Sequence, residues 1–194
     1  MDSLLSYFSV KQVILMEAVV VIDMLEDFVT GELKCERADR IIPKIKKLVE
    51  TARKKKIPVI YSNDAHLPTD FELEKWGKHA MKGTKGAEVI SQLKPTKEDV
   101  ILEKRAYSGF FETGLDLVLR NLKVDTLILT GLHTNMCVRH TAADAFFRGY
   151  KIIVPKDATE AFTEKDYKEG LEYLKNVYNA EITDIEKIVK RWGK

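Results

Sequence analysis

Short apolar runs alternate along the chain with longer segments in which apolar residues recur every three or four positions. The runs predict strands buried on both faces at 18–22, 57–61, 100–102, 126–129 and 151–154. The helical spacing predicts helices at 38–55, near 86–93, at 113–121, beyond residue 135 and at 164–175, with a last short strand and helix within 180–192. Strands that alternate with helices predict an α/β fold with three αβα layers, a mostly parallel sheet of about six strands and Rossmann-like topology.

Composition limits the class of protein. The chain has 194 residues, 45% of them hydrophobic, which is enough for one well-cored domain and too little for two. Met16 stands just before the first strand, so we assign residues 16–194 to a single domain and residues 1–15 to an accessory segment or an over-extended start. The net charge of +2 comes from interleaved acidic and basic residues, which predicts no nucleic-acid partner.

The same chain shows no apolar stretch long enough to cross a bilayer, and no membrane partner is predicted. Its two cysteines, Cys35 and Cys137, form neither a disulfide framework nor a CxxC motif. A reducing cytoplasm is therefore the predicted compartment. Cys35 lies among charged residues, and we interpret it as incidental.

Cys137 occupies a position where a thiolate would be reactive. Gly131 permits a sharp turn after the run at 126–129, Thr134 and Asn135 offer N-caps, and Cys137 then falls in the first turn of a helix. The helix dipole there lowers the pKa of a cysteine, and the free N–H groups can hold an oxyanion. A buried structural cysteine fits this segment equally well.

Three reactive side chains follow three different predicted strands. Asp23 closes the first strand, Lys104 follows the third and Cys137 follows the fourth, so all three are expected at one edge of the sheet. Taken singly, the aspartate could be a turn residue and the lysine a solvated one. Together they offer a base for the thiol proton, a cation that favours the charged forms, and a nucleophile for an acyl carbon.

The long polar segment at 63–82 carries a second group. Asp64, His66 and His79 provide one carboxylate and two imidazoles, which suits a divalent transition metal with open coordination positions. The alternative is that these residues are hydrogen-bonded within the loop. The donor types fit zinc, iron or manganese without choosing among them.

Three motifs resemble the isochorismatase-like cysteine hydrolases, from the first strand to the segment after the fifth. They are VVVIDMLEDF with Asp23, KRAYSGFFET with Lys104, and TGLHTNMCVRHTAADA with Cys137. The resemblance implies that Asp23, Lys104 and Cys137 are catalytic aspartate, lysine and nucleophile. It also implies a cis peptide between Leu132 and His133 that turns backbone N–H groups towards the oxyanion.

Within that superfamily the chain looks like the nicotinamidase branch. The resemblance implies that Asp64, His66 and His79 bind a divalent metal and that the protein is a homodimer or homotetramer. By position, Phe28, Trp76 and Tyr107 are candidate aromatic walls of the substrate pocket, although ordinary packing explains them equally well. His133 departs from the branch, in which a small residue is common at this position.

The leading prediction is hydrolysis of a small-molecule amide, nicotinamide to nicotinate and ammonia, through a thioester on Cys137. Alternatives are a related hydrolase that cleaves a ureido C–N bond or the isochorismate vinyl ether, and a catalytically silent binding protein on the same scaffold. A dyad of Cys137 with His140, three residues along the helix, is a further alternative.

Overall fold

A computed structural model describes residues 16–193, and the predicted accessory segment 1–15 lies outside the described residues. The strands are β1 (Glu17–Ile22), β2 (Val59–Asp64), β3 (Val100–Lys104), β4 (Thr126–Leu132), β5 (Lys151–Pro155), β6 (Thr159–Glu160) and β7 (Glu181–Thr183). The α-helices are α1 (Glu26–Val29), α2 (Ile42–Lys54), α3 (Glu72–Trp76), α4 (Leu115–Asn121), α5 (Cys137–Phe147), α6 (Glu164–Tyr178) and α7 (Ile185–Trp192).

The strands form one parallel sheet in the order β3-β2-β1-β4-β5-β7, with the short β6 paired to the end of β4. Alternate residues of the central strands face two separate cores. Val19 and Val21 pack against α2 and α7, whereas Val20 and Ile22 pack against α4, α5 and α6. The predicted α/β fold with three layers and Rossmann-like topology is confirmed, with β6 as an additional strand.

Two predicted helices differ from the observed ones. The predicted helix at 38–55 begins only at Ile42, after a short 3₁₀ turn, because Pro43 lacks an N–H and suits the first turn of a helix. The predicted helix near 86–93 is wrong: two 3₁₀ turns, Lys85–Ala87 and Ser91–Leu93, stand there. Between them the chain pairs with the segment after β1, since the N–H of Ile90 donates to the carbonyl of Met24.

The polar segment at 63–82 is more ordered than expected, because β2 extends to Asp64 and α3 lies within it. Cys35 is also not an incidental loop residue. It is buried, and its thiol donates a hydrogen bond to the carbonyl of Ala161 at 3.4 Å. None of the described helices is long and apolar enough to cross a membrane.

Candidate active site

The strand order reverses between β1 and β4, and this switch point creates a crevice at the carboxyl ends of the strands. Asp23 directly follows β1, and Cys137 is the first residue of α5, which follows β4. Lys104 and Asp64 are the last residues of β3 and β2, whose register pairs them directly. The parallel sheet therefore delivers four reactive side chains to one crevice.

Lys104 lies at the centre of this cluster. Its Nζ is 2.8 Å from Oδ2 of Asp23, 2.5 Å from Oδ1 of Asp64 and 3.7 Å from Sγ of Cys137. Asp23 has a left-handed backbone (φ 52°), and its Oδ1 accepts a hydrogen bond from the N–H of Asp64 at 2.8 Å. The predicted trio of Asp23, Lys104 and Cys137 is thus brought together, and Asp64 is in contact with it.

Burial governs the proton affinities in the cluster. Burial and the nearby Asp64 raise the pKa of Asp23 to about 7, although Lys104 acts in the opposite direction. Burial would lower the pKa of Lys104, but the carboxylates of Asp23 and Asp64 outweigh it and raise that pKa well above its ordinary value. The ammonium therefore keeps its proton while Asp23 can exchange one near neutral pH.

The expected lowering of the Cys137 pKa by the helix dipole is wrong. Burial raises the pKa of this thiol well above its ordinary value, and the carboxylates of Asp23 and Asp64 add to the effect while Lys104 opposes it. Cys137 thus rests as a thiol. A thiolate at this position requires a base in direct reach, and Asp23 lies there, with its carboxylate oxygen within 4.8 Å of the sulfur.

The turn between β4 and α5 sets the direction of the Cys137 side chain. Gly131 has a φ of 100°, and a Cβ at this position would lie 2.0 Å from the carbonyl oxygen of Ile22, so only glycine fits. The carbonyl of His133 accepts hydrogen bonds from the N–H groups of Met136 and Val138, and the Leu132–His133 peptide is cis. The N–H of Cys137 belongs to the first turn of α5, whose donors have no partner within the helix.

The predicted N-caps at Thr134 and Asn135 are wrong, because the helix begins one residue later with Met136 as its N-cap. The Thr134 hydroxyl instead forms a hydrogen bond with that of Thr159 at 2.9 Å, which ties the turn to β6. The alternative dyad of Cys137 and His140 is not supported either. His140 is exposed, and its Nδ1 is 2.8 Å from the carbonyl of Met136.

Asp64, His66 and His79 form a second cluster beside the first. One donor atom from each lies within 4.8 Å of the others, and all three residues are buried. The Nδ1 of His66 is 3.1 Å from Asp70, and the Nδ1 of His79 is 2.9 Å from the carbonyl of Gly77. Both rings are thereby oriented with Nε2 available, and Nε2 of His66 has no hydrogen-bond partner among residues 16–193. This donor set fits a divalent metal ion.

Sequence reasoning missed the residues that hold this set in place. Asp70 accepts hydrogen bonds from His66, from the N–H of Leu67 and from Arg105, and the Arg105 contact holds the pKa of Asp70 well below its ordinary value. The four-residue interval from His66 to Asp70 was the available signal, but in a loop an interval of four does not imply contact. Glu72 also borders the pocket, and burial raises the pKa of its carboxyl.

Asp27, the second aspartate of the first motif, fixes the loop that carries His79. Its Oδ2 accepts a hydrogen bond from the N–H of Ala80 at 2.7 Å. A Cβ at Gly86 would lie 2.0 Å from the same oxygen, which explains the need for glycine there. The loop is joined to the His66 segment as well, since the N–H of His66 donates to the carbonyl of Ala80.

The three predicted aromatic residues, Phe28, Trp76 and Tyr107, all line the pocket that contains Cys137, together with His133, Met136 and Phe162. Nε1 of Trp76 donates a hydrogen bond to the Tyr107 hydroxyl at 2.9 Å. Phe28 contacts His79 and His133 edge to face, with ring centroids 5.5 and 5.7 Å apart. The free volume between these walls is about 20 Å³, which is room for roughly one water molecule.

Known proteins resemble this chain in sequence and in fold. The sequence model of the isochorismatase domain matches residues 17–187. The chain belongs to the isochorismatase family. An N-carbamoylsarcosine amidase from Thermoplasma acidophilum is 43% identical, with a TM-score of 0.84 over 89% of this chain and 98% of that one. A nicotinamidase from Bacillus subtilis is 30% identical, with a TM-score of 0.84 over 88% of this chain and 100% of that one.

A third similar structure, of a pyrazinamidase of Pyrococcus horikoshii in complex with zinc, is 30% identical, with a TM-score of 0.81 over 87% of this chain and 99% of that one. The predicted family is therefore confirmed. The prediction that the protein is a hydrolase is also confirmed, because it belongs to a family whose named relatives cleave amides. The substrate is a separate question.

Proposed function

We propose that the protein hydrolyses the C–N bond of a small amide through a thioester on Cys137. The observation that supports this most directly is the buried contact of Lys104 with Asp23 and with the sulfur of Cys137, a residue that lines a pocket. A nucleophile, a base and a fixed cation are the parts that acyl transfer requires.

In this proposal Asp23 accepts the thiol proton as Sγ attacks the amide carbon. The N–H groups of His133 and Cys137 stabilise the oxyanion, and Lys104 remains protonated throughout. When the tetrahedral intermediate collapses, Asp23 returns the proton to the leaving nitrogen, and ammonia departs. Asp23 then takes a proton from water, whose oxygen attacks the thioester. Collapse of the second intermediate releases the acid and restores the thiol.

Nicotinamide is the first candidate substrate. Asp64 links the two clusters, because it contacts Lys104 and shares the second cluster with His66 and His79. The relatives from B. subtilis and P. horikoshii are a nicotinamidase and a pyrazinamidase, and the second is in complex with zinc. A bound zinc, iron or manganese ion would supply a Lewis acid for a substrate lone pair. Phe28, Trp76 and Tyr107 would enclose the ring.

A second candidate is an N-carbamoyl compound, from which hydrolysis of the ureido group also releases ammonia. One observation favours it: the relative with 43% identity is an N-carbamoylsarcosine amidase.

The test is a measurement of ammonia release from nicotinamide, pyrazinamide and N-carbamoylsarcosine, with metal analysis of the same sample. We expect release from at least one compound and none from Cys137→Ala. Absence of release from all three, with Cys137 inert to iodoacetamide, would favour the silent binding protein. Consumption of isochorismate without ammonia would favour the vinyl-ether hydrolase.

We further propose a homodimer or homotetramer. Phe71, Phe111 and Phe147 are exposed and line a surface groove of about 930 Å³, and exposed apolar patches of this kind mark interaction surfaces. Light scattering after gel filtration measures the assembly, and a monomer at all concentrations would contradict it.

Both cysteines are free thiols, which supports the proposed cytoplasmic location.

A further inference from the structure

His133 places a polar nitrogen in a wall that is otherwise built from rings and aliphatic groups. The residue is 2% exposed and lines the pocket beside Cys137. Its ring stacks on Phe162 with centroids 4.0 Å apart, and Phe28 meets it edge to face at 5.7 Å. These two contacts hold the imidazole in one orientation.

The Nε2 atom of His133 is buried and has no hydrogen-bond partner among residues 16–193. Three polar atoms on the other walls of the pocket have partners inside the protein. Nδ1 of His79 contacts the carbonyl of Gly77, the Tyr107 hydroxyl accepts from Trp76, and Asp64 is paired with Lys104. An unpaired buried nitrogen is costly and invites an explanation.

Burial also lowers the pKa of His133 to about 3, so its ring is neutral at physiological pH. A neutral imidazole nitrogen accepts from an N–H or O–H group, or donates to a carbonyl in the other tautomer. It offers no charge to an anion. An uncharged polar group is therefore the better partner.

We propose that His133 is a specificity-determining residue whose Nε2 forms a hydrogen bond with an uncharged polar group of the substrate, beyond the scissile amide. The inference rests on the proposed amide hydrolysis and names its substrate class: small amides with a second N–H, O–H or C=O group. A ureido compound offers such a group. In nicotinamide only the ring nitrogen could serve, and its lone pair is the one that the proposed function leaves to the metal ion.

Matched substrates test this without knowledge of the natural one. Lactamide and isobutyramide differ only by a hydroxyl in place of a methyl group, and N-carbamoylsarcosine and nicotinamide represent the two candidate classes. The quantity to compare is kcat/KM of wild type, His133→Phe and His133→Gln for each compound. In His133→Phe the preference for the polar member of each pair should fall by about 10- to 100-fold. His133→Gln, which keeps a polar atom near Nε2, should restore part of it.

The rate of Cys137 alkylation by iodoacetamide reports whether the rest of the site is intact, and His133→Leu serves if the phenylalanine variant does not fold. Equal losses for both members of a pair would show a purely structural role and overturn the proposal. If wild type hydrolyses none of the compounds, the proposed function fails. Calorimetry then measures the affinities of the polar and apolar compounds for Cys137→Ala and for Cys137→Ala/His133→Phe. Equal affinities for the polar and apolar members of a pair would overturn the proposed role of His133.

Discussion

The cluster around Lys104 and the wall around His133 border the same pocket but are built differently. Asp23, Lys104 and Cys137 stand at the ends of strands or at the start of a helix, and each touches another member of the cluster. The wall comes largely from loops and the short helix α3, with His133 and Trp76 both stacked on Phe162. In this wall, Nε2 of His133 has no hydrogen-bond partner within the described part of the chain.

This contrast separates the residues that carry out the reaction from the residues that we propose to select the substrate. Groups that must act together are held by a parallel sheet whose register tolerates little change, since β1, β2, β3 and β4 form a continuous ladder. The groups that we propose to select the substrate lie on connections, which can vary without disturbing the sheet. We therefore expect substitutions in the cluster to affect turnover of every substrate, and substitutions in the wall to affect some substrates more than others.

Replacing the nucleophile should have the largest effect. Cys137→Ser is expected to lower kcat by about 10⁴-fold or more, because a serine hydroxyl next to Asp23 is a far weaker nucleophile than a thiol. Ammonia release with the best substrate measures it. Cys35→Ala is the matched control, since Cys35 is the other buried cysteine and its thiol donates to the carbonyl of Ala161. Activity retained in Cys137→Ser would exclude the thioester.

Removing the central cation should come next and should also affect stability. Lys104→Met leaves the buried carboxylates of Asp23 and Asp64 without their cation, and we expect a loss of about 3–5 kcal/mol in the free energy of unfolding. Urea unfolding measures it. Lys82→Met is the control, because Lys82 pairs with Glu103 at the surface and should change little. Equal stability of the two variants would show that the cluster is not held together by charge.

The metal content of variants should distinguish the metal ligands from the residues that orient them. His66→Ala should abolish stoichiometric metal binding, whereas Asp70→Asn, which removes the carboxylate that orients His66, should weaken affinity by about 10- to 100-fold. Elemental analysis and competition with a chelator measure both. His140→Ala should leave the metal content unchanged, because this exposed histidine lies outside the set. A wild-type protein that takes up no metal would refute the assignment.

The smallest predicted effect concerns stability and pH at His133. Its pKa is about 3 in the folded protein and about 6.5 in an unfolded chain. Between pH 3 and pH 6.5 the unfolded state therefore binds one proton more at this residue than the folded state does. As a result, the free energy of unfolding is highest above pH 6.5 and declines as the pH falls. For each pH unit below about 6, the free energy of unfolding should fall by about 1.4 kcal/mol less in His133→Phe than in wild type. Urea unfolding at pH 7 and pH 5 tests this, and parallel pH profiles would show that His133 is protonated in the folded state.

Much of the cluster could be predicted from the sequence because apolar runs locate the strands and a reactive residue follows three of them. Asp23, Lys104 and Cys137 were predicted to meet on this basis, and the parallel sheet brings them together. The helix near 86–93 was mispredicted because its periodicity is compatible with a helix, while the pairing of Ile90 with Met24 depends on a distant segment. Asp70 was missed for the same reason.

By itself, the sequence determined the layered α/β fold, the family and the set of reactive side chains, since these follow from local periodicity and from motifs that are contiguous in the chain. Only the tertiary structure decided the protonation of the site and the width of the pocket. Burial reversed the expected pKa shift of Cys137 and left His133 neutral, with a nitrogen that has no partner among residues 16–193. Desolvation depends on every element packed around a group, and no single segment of the chain encodes it.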